Sequence, residues 1–306
     1  MKKILVIGSL NMDTVIEVPY MPKSGETLAG RSVSFVPGGK GANQAYAAGK
    51  LGGTVSMIGA VGNDSFGKAL TENLEKVGVN TDGIAVMEGK TTGQAYITVD
   101  DSGANSIILI GGTNALVSKE LIDRNRNLLE ECDILIMQLE IDPEVVEYAK
   151  DLAVGMGKMV IVDPAPARRD LPDSFWKGID YIKPNETELE ILFGREVRGQ
   201  EALEAAARQM LDKGVKNVMV SLGGDGCMLV NESGSKFYPA NKVKAVDTTA
   251  AGDCFTASFT LALSKGESVE EAIRFGQKAS AISVTRKGAQ TSIPTLEEVN
   301  HDSFYI

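Results

Sequence analysis

Short apolar runs that alternate with helical patterns are the feature that most limits how this chain can fold. Six runs have the length and character of buried strands: 4–8, 55–60, 133–139, 159–163, 181–183 and 218–222. Helical periodicity fills the intervals, at 41–51, 65–77, 118–131, 144–152 and 201–213. This alternation is typical of a largely parallel sheet covered by helices. We therefore predict an α/β fold, residues 1–306 forming one domain, with ligands at the carboxyl ends of the strands.

Two regions interrupt this pattern. Residues 14–18, and 94–99 with 106–110 around the turn Asp100-Asp101-Ser102-Gly103, have partly alternating polarity and are predicted to form antiparallel strands. We expect a small antiparallel β lid, about 12–22 and 91–112, inserted in the α/β core. The alternative is an edge extension of the main sheet. An exposed apolar lid face would also suit the contact of a homodimer.

Composition limits the partners and the compartment. The chain carries 31 Lys and Arg against 41 Asp and Glu, a formal charge of −10 that disfavours nucleic acid as a partner. Three unclustered cysteines, Cys132, Cys227 and Cys254, predict buried thiols and a cytoplasmic protein. No run approaches the roughly 18 apolar residues of a membrane span. The single histidine, His301, is near the end of the sequence, so acid–base chemistry is expected from other side chains.

The heptapeptide Asp247-Thr248-Thr249-Ala250-Ala251-Gly252-Asp253 precedes a run with helical spacing at 254–263. Asp253 is therefore predicted in the first turn of a buried helix. Small residues before it allow an anion to approach helix N–H groups that have no internal partner. The structural alternative is that Asp253 only caps the helix.

Other polar segments are predicted to lie near strand ends. In the segment 37–45, Gly39 permits close approach of a ligand while Lys40 and Asn43 offer hydrogen bonds suited to a polyhydroxylated molecule. Gln44 stands where a dinucleotide fingerprint has its third glycine, which disfavours nicotinamide chemistry. Asn11 and Asp13 could bracket adjacent hydroxyls, or could be turn residues.

Two further segments have both a structural and a functional interpretation. Asn185 and Glu188 fit a helix capping box, and could also hold phosphate oxygens or water around magnesium. The turn at 221–226 could support a nucleotide, or could be a plain tight turn.

Four motifs together resemble the PfkB-type carbohydrate kinases in order and spacing. They are residues 37–45, 183–188, 247–253 and 284–290, and the similarity extends from 8–13 to 288–294. The resemblance implies transfer of phosphate from ATP to O5 of D-ribose, with Mg²⁺ required and K⁺ activating. Alternatives are deoxyribose, fructose or a nucleoside such as adenosine as substrate, or a non-catalytic sensor of sugar or nucleotide.

The resemblance also implies a role for each matching residue. Asp253 would be the general base, beside an anion hole formed by Ala250, Ala251 and Gly252. The sugar would contact Asn11, Asp13, Gly39, Lys40, Asn43, Glu140 and Asp253. The nucleotide would contact Asn185, Ser221, Gly223, Gly224, Asp225, Gly226, Gly252 and Gln277. For Gln277 the alternative is a solvent-exposed side chain.

Two metal sites follow from the same resemblance. Glu188 would organise Mg²⁺ through water. A K⁺ site would involve Asp247, Thr249, Ser283, Arg286, Gly288 and Ser292. The structural alternative for Asp247 is a turn acid that pairs with Arg286.

Overall fold

The computed structural model of the protein describes residues 1–301, and within them the predicted α/β architecture is confirmed. Its strands are β1 Ile4–Ile7, β2 Asn11–Glu17, β3 Ser32–Gly38, β4 Val55–Gly62, β5 Asn80–Met87, β6 Gly93–Val99, β7 Asn105–Ile110, β8 Ile134–Met137, β9 Met159–Val162, β10 Tyr181–Ile182, β11 Asn217–Ser221, β12 Gly226–Asn231 and β13 Gly234–Pro239. The helices are α1 Lys40–Lys50, α2 Ser65–Glu75, α3 Lys119–Arg124, α4 Arg126–Glu131, α5 Pro143–Gly155, α6 Asp173–Trp176, α7 Glu186–Phe193, α8 Gln200–Asp212, α9 Ala251–Ser264, α10 Val269–Ser283 and α11 Leu296–Asn300.

The main sheet has nine strands in the order β13-β12-β11-β10-β9-β8-β1-β4-β5. The pairs from β11 to β5 are parallel, whereas β12 and β13 are antiparallel additions at one edge. Side chains of β1 alternate between two buried cores, with Leu5 and Ile7 on one face and Ile4 and Val6 on the other. Both faces of the central strands are therefore covered, which explains their nearly continuous apolar runs.

A second sheet of four strands is separate from the main one, in the order β3-β2-β6-β7. Strands β6 and β7 form the predicted antiparallel hairpin, and β2 pairs antiparallel with β3 but parallel with β6. This sheet includes Ser32–Gly38, which the sequence analysis did not assign to it. Pro37 obscures that strand in the sequence, and it is tolerated here because β3 is an edge strand.

The predicted helix at 118–131 is wrong in one respect, since it is divided into α3 and α4 at Asn125. The Asn125 side chain donates to the carbonyl of Leu121, and its backbone leaves helical geometry (φ −107°, ψ 24°). This is the competition between a short polar side chain and the helix ladder that makes Asn a weak helix former.

Helix α9 is buried almost all round and packs between α1 and α10. The three cysteines are free and buried, as predicted. Within residues 1–301, the structure contains no helix whose length and apolar character would let it cross a membrane.

Candidate active site

Asp253 lies in the first turn of α9, as predicted, and is 4% exposed. Its carboxylate accepts hydrogen bonds from Asn43 Nδ2 at 2.9 Å and from Gln44 Nε2 at 3.0 Å, and Lys40 Nζ lies 4.0 Å from Oδ1. The carboxylate does not cap α9, since Ala250 occupies the N-cap and no side chain caps the helix there. Burial alone would lower the pKa of Lys40, but the surrounding negative charges, led by that of Asp253, raise it above its ordinary value, so the ammonium is retained. The capping interpretation of Asp253 therefore does not describe this geometry.

Glu140 follows the end of β8 and fixes the start of α1. Its carboxylate accepts from the backbone N–H of Lys40 at 2.9 Å and from the Ser9 hydroxyl. An acid placed here stabilises the N-terminus of α1, whose N-cap, Gly39, has no side chain to do so.

Asn11 and Asp13 lie at the start of β2, facing the same region. Asn114 bridges this segment to the 3₁₀ turn Gly112–Leu116, because its Nδ2 donates to Asn11 Oδ1 at 2.7 Å and its Oδ1 accepts from the Leu10 N–H at 2.9 Å. Burial raises the pKa of Asp13 to about 7, with further contributions from the negative charges of Glu140 and Asp253. The three carboxylates therefore lie close enough for the charges of Glu140 and Asp253 to act on Asp13.

Asp253 and Lys40 also line a cavity of about 700 Å³. It is lined by all eight residues predicted to contact the nucleotide: Asn185, Ser221, Gly223, Gly224, Asp225, Gly226, Gly252 and Gln277. The exposed alternative for Gln277 does not hold, because its Nε2 donates to the Tyr238 carbonyl at 2.9 Å while the side chain lines the cavity. A larger open groove of about 910 Å³ shares only Glu140 with the predicted residues.

The motif at 183–188 has the predicted capping box. Glu188 N donates to Asn185 Oδ1 at 2.7 Å, and Asn185 N donates to Glu188 Oε2 at 2.8 Å. Burial raises the pKa of Glu188, and the nearby charge of Asp163 raises it further. The distance between Asp163 Oδ2 and Lys183 Nζ is 3.5 Å. The other oxygen of Asp163, Oδ1, is buried and has no hydrogen-bond partner among the described residues.

The segment before α9 contains an unusual backbone conformation. Ala250 has φ 58°, the only positive φ of a non-glycine residue among the described residues. This residue is the N-cap of α9, and together with Ala251 and Gly252 it lines the cavity. Strained positions of this kind concentrate at functional sites.

Asp247 joins the segment before α9 to the turn after α10. Its Oδ2 accepts from the Gly288 N–H at 2.8 Å and its Oδ1 from the Thr249 N–H at 2.9 Å. The suggested pairing with Arg286 is wrong, because that guanidinium donates to both carboxylate oxygens of Glu298 and holds the pKa of Glu298 down to about 2. Ser283 and Ser292 are close by in sequence to this turn, and their hydroxyls are 2.7 Å apart.

Comparison with known proteins decides the family. The profile of the pfkB family of carbohydrate kinases matches residues 1–296. The chain belongs to this family. It is 44% identical to a ribokinase of Haemophilus influenzae over 297 residues, covering 97% of each chain. It is 40% identical to a deoxyribokinase of Salmonella typhi over 297 residues, again covering 97% of each chain.

Solved structures agree with this assignment. Arabidopsis thaliana ribokinase in complex with ribose and ATP superposes with a TM-score of 0.90 at 32% identity, covering 97% of both chains. Thermotoga maritima ribokinase superposes with a TM-score of 0.90 at 44% identity, covering 98% of both chains. The predicted enzyme class, a carbohydrate kinase, is therefore confirmed.

Several polar residues of this PfkB kinase were not assigned to its site from the sequence. Gln44 is fully buried, and its Nε2 donates to both Asp253 and Asp163, at 3.0 and 3.1 Å. Lys183 is part of the motif at 183–188 but was given no role there, although it lines the cavity. The available signal was position, because Asp163 and Lys183 directly follow the ends of β9 and β10.

Proposed function

We propose that this PfkB kinase transfers the γ-phosphoryl group of ATP to O5 of D-ribose, with Asp253 as general base. The observation that carries the proposal is the place of Asp253. Its carboxylate lines the cavity proposed for the nucleotide and is also contacted by Asn43 and Lys40, two residues proposed to contact the sugar. A base at this boundary can take a proton from a hydroxyl directed at the phosphate. The two ribokinases and the ribose–ATP complex described above support both substrates.

Groups around Asp253 are proposed to stabilise the phosphoryl group during transfer. As the carboxylate takes the O5 proton, charge develops on the transferred group, and the N–H groups at the start of α9 would stabilise it. Lys183 adds a positive charge beside this helix end, since its Nζ would lie only 3.3 Å from a Cβ at Gly252. Positioned charges of this kind supply most of the catalysis in phosphoryl transfer.

The donor set on the nucleotide side fits magnesium delivered with ATP. Asp163 offers a buried oxygen that has no partner in the described part of the chain, and Glu188 presents a second carboxylate to the same cavity. No group of three His, Cys, Asp or Glu suited to a metal is found within residues 1–301, which suits an ion held largely by phosphate and water. Mg²⁺ would neutralise charge on the phosphates, with Glu188 orienting its water.

The turn around Asp247 fits a monovalent cation. The carboxylate of Asp247 contacts Thr249 and the backbone N–H of Gly288, and the hydroxyls of Ser283 and Ser292 contact each other. The carboxylate, hydroxyl and backbone oxygens of these residues would be hard donors suited to K⁺. Arg286 would contribute through its backbone, because its side chain is engaged by Glu298. A bound cation would fix the start of α9.

The proposed activity is tested by measuring ADP formation from ATP with a panel of ribose, 2-deoxyribose, fructose and adenosine. We expect the highest kcat/KM with ribose, no turnover with EDTA, and faster turnover in K⁺ than in Na⁺. Deoxyribose is the second candidate because of the 40% identity to a deoxyribokinase. Turnover of fructose or adenosine alone would leave the family intact and reject ribose, while sugar binding without ADP formation would indicate a sensor.

Sugar affinity is predicted to depend on pH through Asp13. Its ionised form accepts hydrogen bonds from sugar hydroxyls through both oxygens, whereas protonation removes the charge and turns one oxygen into a donor, and its pKa is raised to about 7. As pH rises from 6 to 8 the ionised fraction increases, so ribose should bind about tenfold more tightly. Titration calorimetry with ribose in the absence of ATP measures this. The Asp13→Asn variant should bind more weakly and without that pH dependence; an unchanged profile would assign the titration to another group.

The small sheet is proposed to act as a lid over the sugar and as a dimer contact with a second copy of the chain. Leu109, Ala95 and Asp13 are register partners across β7, β6 and β2, so their side chains share one face. Ile107 lies on that face and is 53% exposed, whereas its neighbour Ile108 lies on the opposite face and is 62% exposed. A second copy covering the first face would bury this apolar surface and enclose the sugar pocket.

Adjacent residues of β7 provide a matched pair of variants. Ile107→Glu should convert a dimer to a monomer and raise the ribose KM, because a charge would have to be buried at the contact. Ile108→Glu, on the other face of the same strand, should remain dimeric. Size-exclusion chromatography with light scattering measures the mass of each. A monomeric wild type, or monomers from Ile108→Glu alone, would reject this face as the contact.

A further inference from the structure

A chain of three side-chain amides leads through the interior to Asp253. Asn73 Nδ2 on α2 donates to Gln290 Oε1 at 2.6 Å, and Gln290 Nε2 donates to Asn43 Oδ1 at 3.1 Å. Asn43 Nδ2 then donates to Asp253 Oδ2 at 2.9 Å. Gln290 is 2% exposed and lies at the start of a short 3₁₀ turn, Gln290–Ser292, far from the other members in sequence. Nothing in the proposed reaction so far uses Gln290 or Asn73.

The direction of these hydrogen bonds is set by chemistry. An ionised carboxylate only accepts hydrogen bonds, so Asn43 must turn its NH₂ group towards Asp253 and its oxygen away. That oxygen then needs a donor, which Gln290 supplies, and the oxygen of Gln290 in turn needs the donor that Asn73 supplies. Each amide therefore donates towards the carboxylate, an arrangement in which successive hydrogen bonds polarise one another favourably.

The alternative orientation of Asn43 would place its oxygen against the carboxylate of Asp253. Gln290 opposes this rotation, because a rotated Asn43 would present its NH₂ group to the NH₂ group of Gln290. We propose that Gln290, held by Asn73, is a positioning residue that keeps Asn43 donating to Asp253 and so fixes the catalytic carboxylate for proton transfer. This inference rests on the proposed function of Asp253.

The test compares Gln290→Met with the wild-type protein. Methionine has a similar length and shape but neither an amide donor nor an amide acceptor, so it preserves packing and removes the hydrogen bonds of Gln290 to Asn43 and Asn73. We expect kcat with ribose to fall about 10- to 100-fold, the scale seen when groups behind functional side chains are removed, while the KM for ATP stays within about twofold. Asn73→Ala should give a smaller loss of kcat. Gln209→Met, at an exposed glutamine of α8, should match the wild type.

A double-mutant cycle separates positioning from packing. If Gln290 acts through Asn43, adding Gln290→Met to Asn43→Ala should cost little further kcat. The inference would be overturned if the loss of kcat in the double variant equalled the product of the two single losses, or if Gln290→Met had the kcat of the wild type. Either result would leave the proposed function standing. Circular dichroism checks folding of each variant, and should Gln290→Met fail to fold, Asn73→Ala decides, since an unchanged kcat there would also overturn the inference. Wild-type protein that forms no ADP with ribose would remove both proposals.

Discussion

Asp253→Ala is expected to lower kcat with ribose by about 10² to 10⁴, the range that general-base catalysis contributes, while ribose affinity changes little. The reason is that the carboxylate is the acceptor at the boundary of the two sites, whereas Lys40 and Asn43 remain in place to contact the sugar. Water can occupy the space and satisfy the amides of Asn43 and Gln44. Stopped assays of ADP formation give kcat, and calorimetry gives the ribose Kd.

Two further variants make this prediction specific. Asp253→Asn keeps the size of the side chain but cannot take a proton, so it should be as inactive as Asp253→Ala. Asp142→Ala is a control for capping, because Asp142 does cap a helix, accepting from the Glu144 N–H at 2.9 Å at the start of α5. It should cost about 1 kcal/mol of stability without loss of kcat. An Asp253→Asn protein with more than a tenth of wild-type turnover would contradict the assignment of the base.

Local patterns predicted the elements and the edge of the sheet at which the site is assembled. The apolar runs identified β1, β4 and β8 to β11, because strands buried on both faces consist mainly of apolar residues. The capping box of Asn185 and Glu188 could also be predicted from the sequence, because its two partners are only three residues apart. Each of these predictions depends on spacing along the chain.

Contacts between distant segments could not be read in this way. Gln44 and Asp163 are 119 positions apart, and Asn43 and Gln290 are 247 apart, so no periodicity relates them. Arg286 illustrates the same limit, because the sequence suggested Asp247 as its partner, whereas in the fold its guanidinium donates to Glu298. The buried polar network is therefore the part of the site that needs the structure, and it contains the residues that hold Asp253 in place.

Gly39→Ala is expected to weaken ribose binding more than tenfold and to lower the melting temperature. Gly39 is the N-cap of α1 with φ 86°, a region that favours glycine, and a Cβ there would lie 2.7 Å from Asn11 N and 3.0 Å from Ser9 O. The backbone strain costs about 1–3 kcal/mol, and relieving the overlap costs about as much again. Because Gly39 packs against Asn11 and directly precedes Lys40, a backbone shift that relieves the overlap would move groups proposed to contact the sugar.

Gly199→Ala is the matched control for this prediction. Gly199 is also a helix N-cap without a side-chain cap, has φ 81°, and has no atom within 4 Å of an added Cβ. It should therefore show only the backbone penalty of about 1–3 kcal/mol, with unchanged ribose affinity. Differential scanning calorimetry and ribose titration of both variants separate the two effects. Equal losses of stability with unchanged ribose binding in both would mean that the tight contact of Gly39 with Asn11 does not shape the sugar pocket.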